Sequence, residues 1–249
     1  MRYTVLTYIF GGYEHVREVK EMDPEAEYVL VTDDPELRSD TWRVIYDGML
    51  DGMTVWEKCY AVRFCPFGYA NTDMVLRVDG SISIKRSLRP FVEKMEQGYD
   101  RCLMIHPYRN TIPEEYDVWV RERNYPRKQA DRCIDIMKGL GYDLEYKGLF
   151  QGTFEIVKRS RINSLVNAMT YDLLKYAATD SHIQRINQTW LSFVVNKLFE
   201  NDLKVLPVSE EILHGSWMEW YGHGVDDEVP LLPMTDPYMF DKPVEIWNP

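Results

Sequence analysis

The stretch Met74-Val75-Leu76-Arg77-Val78-Asp79-Gly80-Ser81-Ile82-Ser83-Ile84 decides the fold class of this chain. Its first half is an apolar, β-prone run, which predicts a buried strand that ends at Asp79. An acid that directly follows a strand lies at the carboxyl edge of a sheet, where open α/β sheets bind ligands. Asp-Gly is also ordinary turn chemistry, so Asp79 taken alone indicates a turn more than a metal ligand.

Apolar runs elsewhere predict further strands, several of which also end in glycine or polar residues. The predicted strands cover residues 3–10, 28–32, 42–46, 101–105, 149–157 and 203–207. The first ends at Gly11-Gly12, where the absence of a side chain lets backbone approach a ligand closely. The second ends at Asp33-Asp34 before a proline, which favours a turn. A carboxylate at that turn can also accept hydrogen bonds from a base or a ribose.

Helices are predicted between the strands at residues 53–64, 88–97, 111–140 with a break near Pro126, 162–177 and 183–199. Strands that alternate with helices predict an α/β protein, here a three-layer α/β/α sandwich with a mostly parallel central sheet. No linker, repeat or low-complexity tract divides the chain. We therefore expect a single domain over residues 1–249, with its core at about 1–200 and a last strand and irregular wrapping tail at 201–249.

Composition argues against several kinds of partner. The net charge is −11, whereas nucleic acids and anionic membranes call for patches of Lys and Arg. A local basic pocket for a small anion is still compatible with an acidic surface. The four cysteines show neither a CxxC pair nor a zinc spacing, and no uncharged run approaches a membrane span. We expect a soluble protein of a reducing, cytoplasmic compartment, with residues 3–10 as a strand and not a signal peptide.

Charged and polar residues on the predicted helices have ordinary and functional interpretations. Lys58 and Arg63 lie off the apolar stripe of their helix, which predicts surface positions, although two cations near the sheet edge could hold a diphosphate. Glu114 and Glu115 are expected to cap or solvate the start of a helix, where acids suit the dipole. Gln188 also lies off its apolar stripe, as solvent-facing glutamines commonly do.

Four features follow one another in a particular order: a strand with Gly-Gly, a strand ending in Asp-Asp, a helix with cations, and the strand with Asp79. Together with HPYRNTIPEE (106–115), LFQGTFEIVKRS (149–160) and INQTWLSFVV (186–195), this order resembles the GT-A nucleotide-sugar glycosyltransferases. More narrowly, it is similar to a glycosyltransferase-like domain of unknown function found in plant and bacterial polysaccharide proteins. YTVLTYIFGGYEHV (3–16) and LRVDGSISI (76–84) carry most of the resemblance, which covers roughly residues 3–200.

The resemblance implies an activity in polysaccharide biosynthesis: transfer of a sugar from a nucleotide-diphosphate donor, expected to be a UDP-sugar, to a hydroxyl of a glycan or related acceptor. It also implies roles for particular residues. The diphosphate would contact Lys58 and Arg63, and the donor sugar would contact Gln188. The nucleoside would contact Thr7, Tyr8, Phe10, Gly11 and either Asp33 or Asp34.

By the same resemblance, Asp79 corresponds to the last acid of an Asp-x-Asp metal motif. Mn²⁺ or Mg²⁺ would then stabilise the leaving diphosphate as a Lewis acid, and His214 or His223 would complete the metal site. Arg77 stands in place of the first acid, so its side chain either points to the other side of the sheet or contacts phosphate itself. Asn187 likewise stands where many relatives carry an acid. This departure leaves a second class open, a catalytically weakened nucleotide-sugar or carbohydrate-binding domain.

The acceptor side has several candidates. His106 is either a structural histidine at a strand end or an acceptor contact, and Arg109 lies nearby in sequence. Trp217 could stack on a sugar ring, or pack the terminal segment onto the core. The general base for an acceptor hydroxyl would be one of Glu114, Glu115 and Asp180.

Other enzyme classes have less support. There is neither a G-x-G-x-x-G nor a G-K-[ST] motif, so neither dinucleotide nor P-loop chemistry is predicted. A nucleotidyltransferase would carry a glycine-rich loop after the first strand, where this chain has Gly-Gly-Tyr-Glu-His. A glycoside hydrolase would need two facing carboxylates, and no specific sequence feature supports such a pair.

Overall fold

Strands and helices alternate through residues 1–178 and 186–221, which are the residues that the computed structural model describes. Nine strands occur there: β1 Tyr3–Ile9, β2 Ala26–Thr32, β3 Arg43–Tyr46, β4 Met74–Val78, β5 Ile82–Ile84, β6 Arg101–Ile105, β7 Phe150–Lys158, β8 Val205–Val208 and β9 Met218–Trp220. Six α-helices accompany them: α1 Val55–Phe64, α2 Arg89–Glu96, α3 Ile112–Glu122, α4 Arg127–Gly139, α5 Arg161–Ala177 and α6 Asn187–Phe193.

Seven of the strands form one sheet in the order β3-β2-β1-β4-β7-β6-β8. Neighbouring strands run parallel except at β7, which is antiparallel to both β4 and β6. The prediction of an α/β fold with a mostly parallel sheet is confirmed. Every predicted strand is present, with bounds close to those expected.

The two faces of the sheet are covered by different elements. Along β1, Val5 faces a core shared with α2, β5 and β9, whereas Leu6 faces a core shared with α1. Helices α3 to α6 cover the remaining strands on the α1 side, where Leu103 and Phe150 of the sheet join their core. Helical layers on both faces agree with a three-layer arrangement.

The end of the described chain differs from the prediction of an irregular tail. Met218–Trp220 forms β9 and pairs antiparallel with β5, so that Met218 lies opposite Ile84 and Trp220 opposite Ile82. Met218 and Trp220 are both buried against the core, with Glu219 between them pointing outward. Alternation in a strand explains this pattern. Residues 222–249 lie outside the described residues.

The last predicted helix is also modified. It was expected over residues 183–199, but α6 begins at Asn187 and continues as a π-helical turn, Val194–Leu198. Residues 179–185, with Asp180 among them, lie outside the described residues.

No helix within the described ranges is long and apolar enough to cross a membrane. None of the four cysteines, all of which lie in the described ranges, forms a disulfide.

Candidate functional site

The crevice outside β1 and β4 is the place where the strand order reverses. From β1 the chain builds outward to β2 and β3, then returns to place β4 on the other side of β1. Ligands of open α/β sheets bind at such a reversal, beyond the carboxyl ends of the strands. Gly11 follows β1 and Asp79 follows β4, so both predicted site residues flank this crevice.

Asp33, at the end of β2, ties the wall of the crevice together. Its carboxylate accepts hydrogen bonds from the backbone N–H of Gly11 at 2.8 Å and from Lys58 Nζ at 2.7 Å. Burial favours the neutral carboxyl, but the bonds from Lys58 and Gly11 outweigh it and lower the pKa of Asp33. Gly11 has a φ of +69°, which glycine adopts without strain. The cation predicted to hold a diphosphate is therefore paired with the acid predicted to meet the nucleoside.

The other residues predicted to meet the nucleoside lie around this wall. Thr7 and Phe10 have buried side chains, and Tyr8 stacks on Phe10 with ring centroids 5.8 Å apart. Asp34 is exposed and accepts the N–H of Glu36 at 2.8 Å, which is a side-chain turn. Of the two adjacent acids, Asp33 faces the crevice and Asp34 forms the turn.

Asp79 is held close to β1. Its N–H donates to the Thr153 carbonyl at 3.0 Å, and its own carbonyl accepts the N–H of Ile82 at 3.0 Å. A Cβ on Gly80 would lie 3.1 Å from Ile9 and 3.2 Å from the Tyr8 carbonyl oxygen, so glycine lets the turn lie against the end of β1. The Asp79 side chain is 28% exposed, which leaves part of the carboxylate accessible in the crevice.

Arg77 points to the same side of the sheet as Asp79, so the first of its two predicted alternatives, a side chain on the other side of the sheet, is wrong. Its Nη1 donates to Asp79 Oδ1 at 2.8 Å, and Nη2 donates to the Gly152 carbonyl. Arg77 and Glu155 lie opposite each other on β4 and β7, with Nε 3.5 Å from Oε2. Alternation along the chain puts Arg77 and Asp79 on the same side, and the register of β4 with β7 puts Glu155 directly opposite Arg77.

Glu155 is the centre of a buried charge cluster. Arg101 donates to its Oε1 from Nε at 2.6 Å and also from Nη2, while Arg63 Nε lies 3.6 Å from Oε2. Burial disfavours the carboxylate, but Arg101, then Arg63 and Arg77, outweigh it and hold the pKa of Glu155 at about 2. Three guanidinium groups therefore surround one fully buried carboxylate, with Asp79 as a second, partly exposed one.

Arg63 is buried, contrary to the predicted surface position. Helix α1 turns it toward the sheet, where it hydrogen-bonds the Asn187 side chain of α6. A Cβ on Gly152 would lie 3.1 Å from Arg63 Cζ, so glycine at this position makes room for the guanidinium. Within the described ranges, Arg63 Nη2 has no hydrogen-bond acceptor. Arg63 thus joins α1, β7 and α6 below the crevice.

A second polar cluster surrounds Glu115. The side chain of Glu115 is fully buried, so the prediction that it caps or solvates the helix start is wrong. Glu115 accepts hydrogen bonds from Trp119 Nε1 at 2.7 Å, from Arg109 Nε and from Gln188 Nε2. The side-chain amide of Gln188, at the start of α6, is therefore oriented by Glu115 of α3. Glu114 forms the predicted cap: its carboxylate and the Thr111 side chain make a reciprocal capping box.

His106 belongs to the same cluster and has a structural geometry. Its Nδ1 accepts the backbone N–H groups of Tyr108 and Arg109, both at 3.2 Å, and Arg109 Nη2 lies 2.9 Å from its Nε2. Nε2 lies 3.6 Å from Glu115 Oε2. Burial, followed by the charge of Arg109, lowers the pKa of His106 well below its ordinary value. His106 is a neutral, inward-facing residue at the end of β6.

The C-terminal candidates are dispersed. His214 Nε2 lies 3.3 Å from Glu210 Oε1, and the His214 side chain is nearly fully buried. Trp217 packs edge-on against Phe91, with centroids 5.8 Å apart, which supports the packing alternative. His223 lies outside the described residues. The described residue nearest to His223 in sequence is Tyr221. Tyr221 donates its N–H to the Ser81 carbonyl at 3.0 Å, close to the Asp79 turn.

A divalent cation does not fit the described residues as they stand. Among them, no three His, Cys, Asp or Glu side chains come together as ligands. The carboxylate predicted to bind the metal, Asp79, is instead the hydrogen-bond acceptor of Arg77. A metal site at this edge would need ligands from the rest of the chain.

Sequence reasoning missed Arg101, Glu155 and the inward direction of Arg63. One signal was present: Arg77 is the single charge of an otherwise apolar strand, and Glu155 lies among the apolar residues Phe154, Ile156 and Val157. Such charges are rarely buried without partners. The fold and the site together define an α/β protein with a polar crevice at its topological reversal. A scan against models of known protein families gives no match for this chain, and a search of curated proteins gives none either.

Proposed function

We propose that this chain is a GT-A-like glycosyltransferase, which transfers a sugar from a UDP-sugar to a hydroxyl of a glycan or related acceptor. One observation carries the proposal: the crevice between β1 and β4 combines Gly11, Asp33, Lys58 and Asp79 at the reversal of strand order. This is a position where a nucleotide can meet both a glycine turn and fixed charges.

The crevice offers suitable chemistry for each part of the donor. The Asp33 carboxylate can accept hydrogen bonds from a ribose or a uracil, and Gly11 presents backbone without a side chain in the way. The departing diphosphate develops negative charge, which Lys58 and the guanidinium of Arg77 would stabilise. Lys58 would have to exchange its bond to Asp33 for one to phosphate, because the two are paired at 2.7 Å.

Gln188 would position the donor sugar. Its amide group is directed by Glu115, and its neighbour Asn187 hydrogen-bonds Arg63 beneath the crevice. The first turn of α6 is therefore joined to both polar clusters. The bond to the buried carboxylate of Glu115 favours a fixed geometry of the Gln188 side chain, which catalysis by positioning requires.

Mn²⁺ or Mg²⁺ stays part of the proposal on the condition that ligands come from outside the described residues. His223 is the histidine to test, because Tyr221 is bonded beside the Asp79 turn while His214 is occupied with Glu210. The measured quantity is the ratio of UDP release with Mn²⁺ to UDP release without it. We expect His223→Ala to lower this ratio and His214→Ala to leave it at the wild-type value. A wild-type ratio in both variants would remove the histidine from the proposed metal site.

A second candidate function is a nucleotide-sugar or carbohydrate-binding domain without turnover. The observation that favours it is the Arg77–Asp79 ion pair, in which the guanidinium engages the acid that a metal would need. Such a domain would bind UDP in the same crevice but release none from a donor.

UDP release from a panel of UDP-sugars, with Mn²⁺ or Mg²⁺ and glycan acceptors, separates the two candidates. We expect wild-type turnover, its loss in Asp79→Ala, and near wild-type turnover in the control Asp34→Ala, which alters an exposed turn acid. Circular dichroism would verify that both variants are folded. UDP binding without release by the wild type would favour the binding domain, and an active Asp79→Ala variant would overturn the assignment of Asp79.

A further inference from the structure

Exposed apolar side chains are concentrated in one segment of the described residues. Twelve large apolar side chains are exposed there, and five of them lie between residues 46 and 56, from the end of β3 to the start of α1: Tyr46, Met49, Met53, Val55 and Trp56. We call these five residues the 46–56 surface. Concentrated exposed apolar residues of this kind mark binding surfaces more often than chance exposure does.

The 46–56 surface adjoins the crevice. Val55 opens α1, and its Cγ2 would lie 3.1 Å from a Cβ placed on Gly11. Lys58, one turn further along α1, makes the bond to Asp33. A chain lying on this surface would therefore pass the end of β1, where the donor is proposed to bind.

The surface is held in shape by its own carboxylates. Asp47 accepts the Tyr69 hydroxyl at 2.6 Å and the Met49 N–H at 3.0 Å. Asp51 accepts the Tyr46 hydroxyl at 2.9 Å, and Glu57 completes a capping box with Thr54. A preformed surface binds its ligand without the entropy cost of ordering a loop.

The charges around the surface select among occupants. Residues 46–57 contain Asp47, Asp51 and Glu57 and no Lys or Arg, and the nearby Lys58 is engaged with Asp33. Anionic lipids and nucleic acids call for basic residues, so this rim repels them. A neutral carbohydrate suits it, because carboxylates accept hydrogen bonds from sugar hydroxyls while aromatic faces pack on the C–H side of the ring.

We propose that the 46–56 surface binds a neutral glycan chain, with sugar rings against Trp56 and Met49, and so delivers the acceptor to the crevice. The role of the surface in delivering an acceptor rests on the proposed glycosyltransferase function, whereas glycan binding itself does not depend on that function. Glycan binding can be assayed without any donor or turnover.

The test is binding of the labelled full chain to an array of neutral and uronic-acid oligosaccharides, with affinities of the hits measured by titration. We expect neutral glycans to bind, and Trp56→Ala to weaken that binding about tenfold, the effect of losing one aromatic contact of ~1.4 kcal/mol. Met49→Ser should weaken binding as well, and because Met49 is 88% exposed its loss should not disturb folding. Tyr176→Ala, an exposed aromatic on α5, serves as the matched control and should bind as wild type.

Several results would overturn the inference. They are absence of glycan binding, equal binding by Trp56→Ala and Met49→Ser, or preference for acidic glycans. A wild-type dimer that Met49→Ser converts to monomer in light scattering would assign the surface to a second copy of the chain instead. UDP release that is unaffected by both variants would also overturn it while leaving the proposed enzyme standing. Glycan binding lost in both variants, with no UDP release by wild type, would support this surface and overturn the enzyme.

Discussion

Replacing Glu155 by glutamine tests the account of the buried charge cluster most severely. The substitution keeps the size of the side chain but removes the carboxylate that Arg63, Arg77 and Arg101 share. All four side chains are at most a few per cent exposed, so water cannot replace the missing charge. We expect Glu155→Gln to be strongly destabilising although it alters no apolar contact.

The magnitude follows from two independent considerations. Holding the pKa of Glu155 at about 2 against an ordinary 4.5 corresponds to ~3 kcal/mol of differential interaction at neutral pH. Removing one partner of a buried ion pair typically costs about 3–5 kcal/mol, because the remaining charges stay buried. We therefore expect a loss of about 3–5 kcal/mol in the free energy of unfolding.

Urea denaturation followed by circular dichroism measures this loss. With a slope of about 3 kcal/mol per molar urea, the midpoint should fall by about 1–2 M. The matched control is Glu27→Gln, which breaks the exposed pair of Glu27 with Arg43 at 2.6 Å and should cost about 0–1 kcal/mol. A Glu155→Gln cost no larger than that of the control would refute the electrostatic account of the cluster.

The same variant has a signature in its pH dependence. Because the folded-state pKa of Glu155 is depressed, its contribution is fully present above about pH 4.5 and is lost as pH falls toward 2. The stability difference between wild type and Glu155→Gln should therefore be constant near neutrality and shrink between those values. A difference that grew on acidification would contradict the assigned direction.

Two further substitutions test the packing around the site, each with a neighbour or counterpart as control. Gly152→Ala should lower the free energy of unfolding by about 1–3 kcal/mol, because the added Cβ displaces the Arg63 guanidinium, whereas Gly139→Ala meets open space and should be neutral or slightly stabilising in the same thermal melts. Glu115→Gln should cost more than Glu114→Gln, about 3 against about 1 kcal/mol, since the first removes a buried charge and the second an exposed cap. Comparable losses in either pair would show that the local environments are misassigned.

The fold could be predicted because buried strands of this kind are mostly apolar on both faces. β1, β2, β4 and β6 appear in the sequence as continuous runs, which is typical of strands covered on both faces. β9 was not predicted, because its three residues become a strand only by pairing with β5, far away in sequence. The antiparallel direction of β7 is likewise a property of its neighbours and not of its own residues.

The site could be predicted only in part, and two adjacent acids show why. Glu114 and Glu115 are chemically the same and both fit a helix start, yet one caps α3 and the other is buried. Their fates differ by one step around the helix, about 100°, which decides between solvent and core. The partners of Glu115 come from elsewhere in the chain, with Gln188 on α6, so no local pattern could reveal them.

The most direct test of the central claim is a crystal structure of the protein soaked with UDP and Mn²⁺. The account predicts the nucleoside against Gly11 and Asp33, and the diphosphate in the crevice between β1 and β4 beside Asp79. UDP bound at another edge of the sheet would contradict the claim. So would a crevice left empty at saturating UDP, with Asp33 still bonded to Lys58.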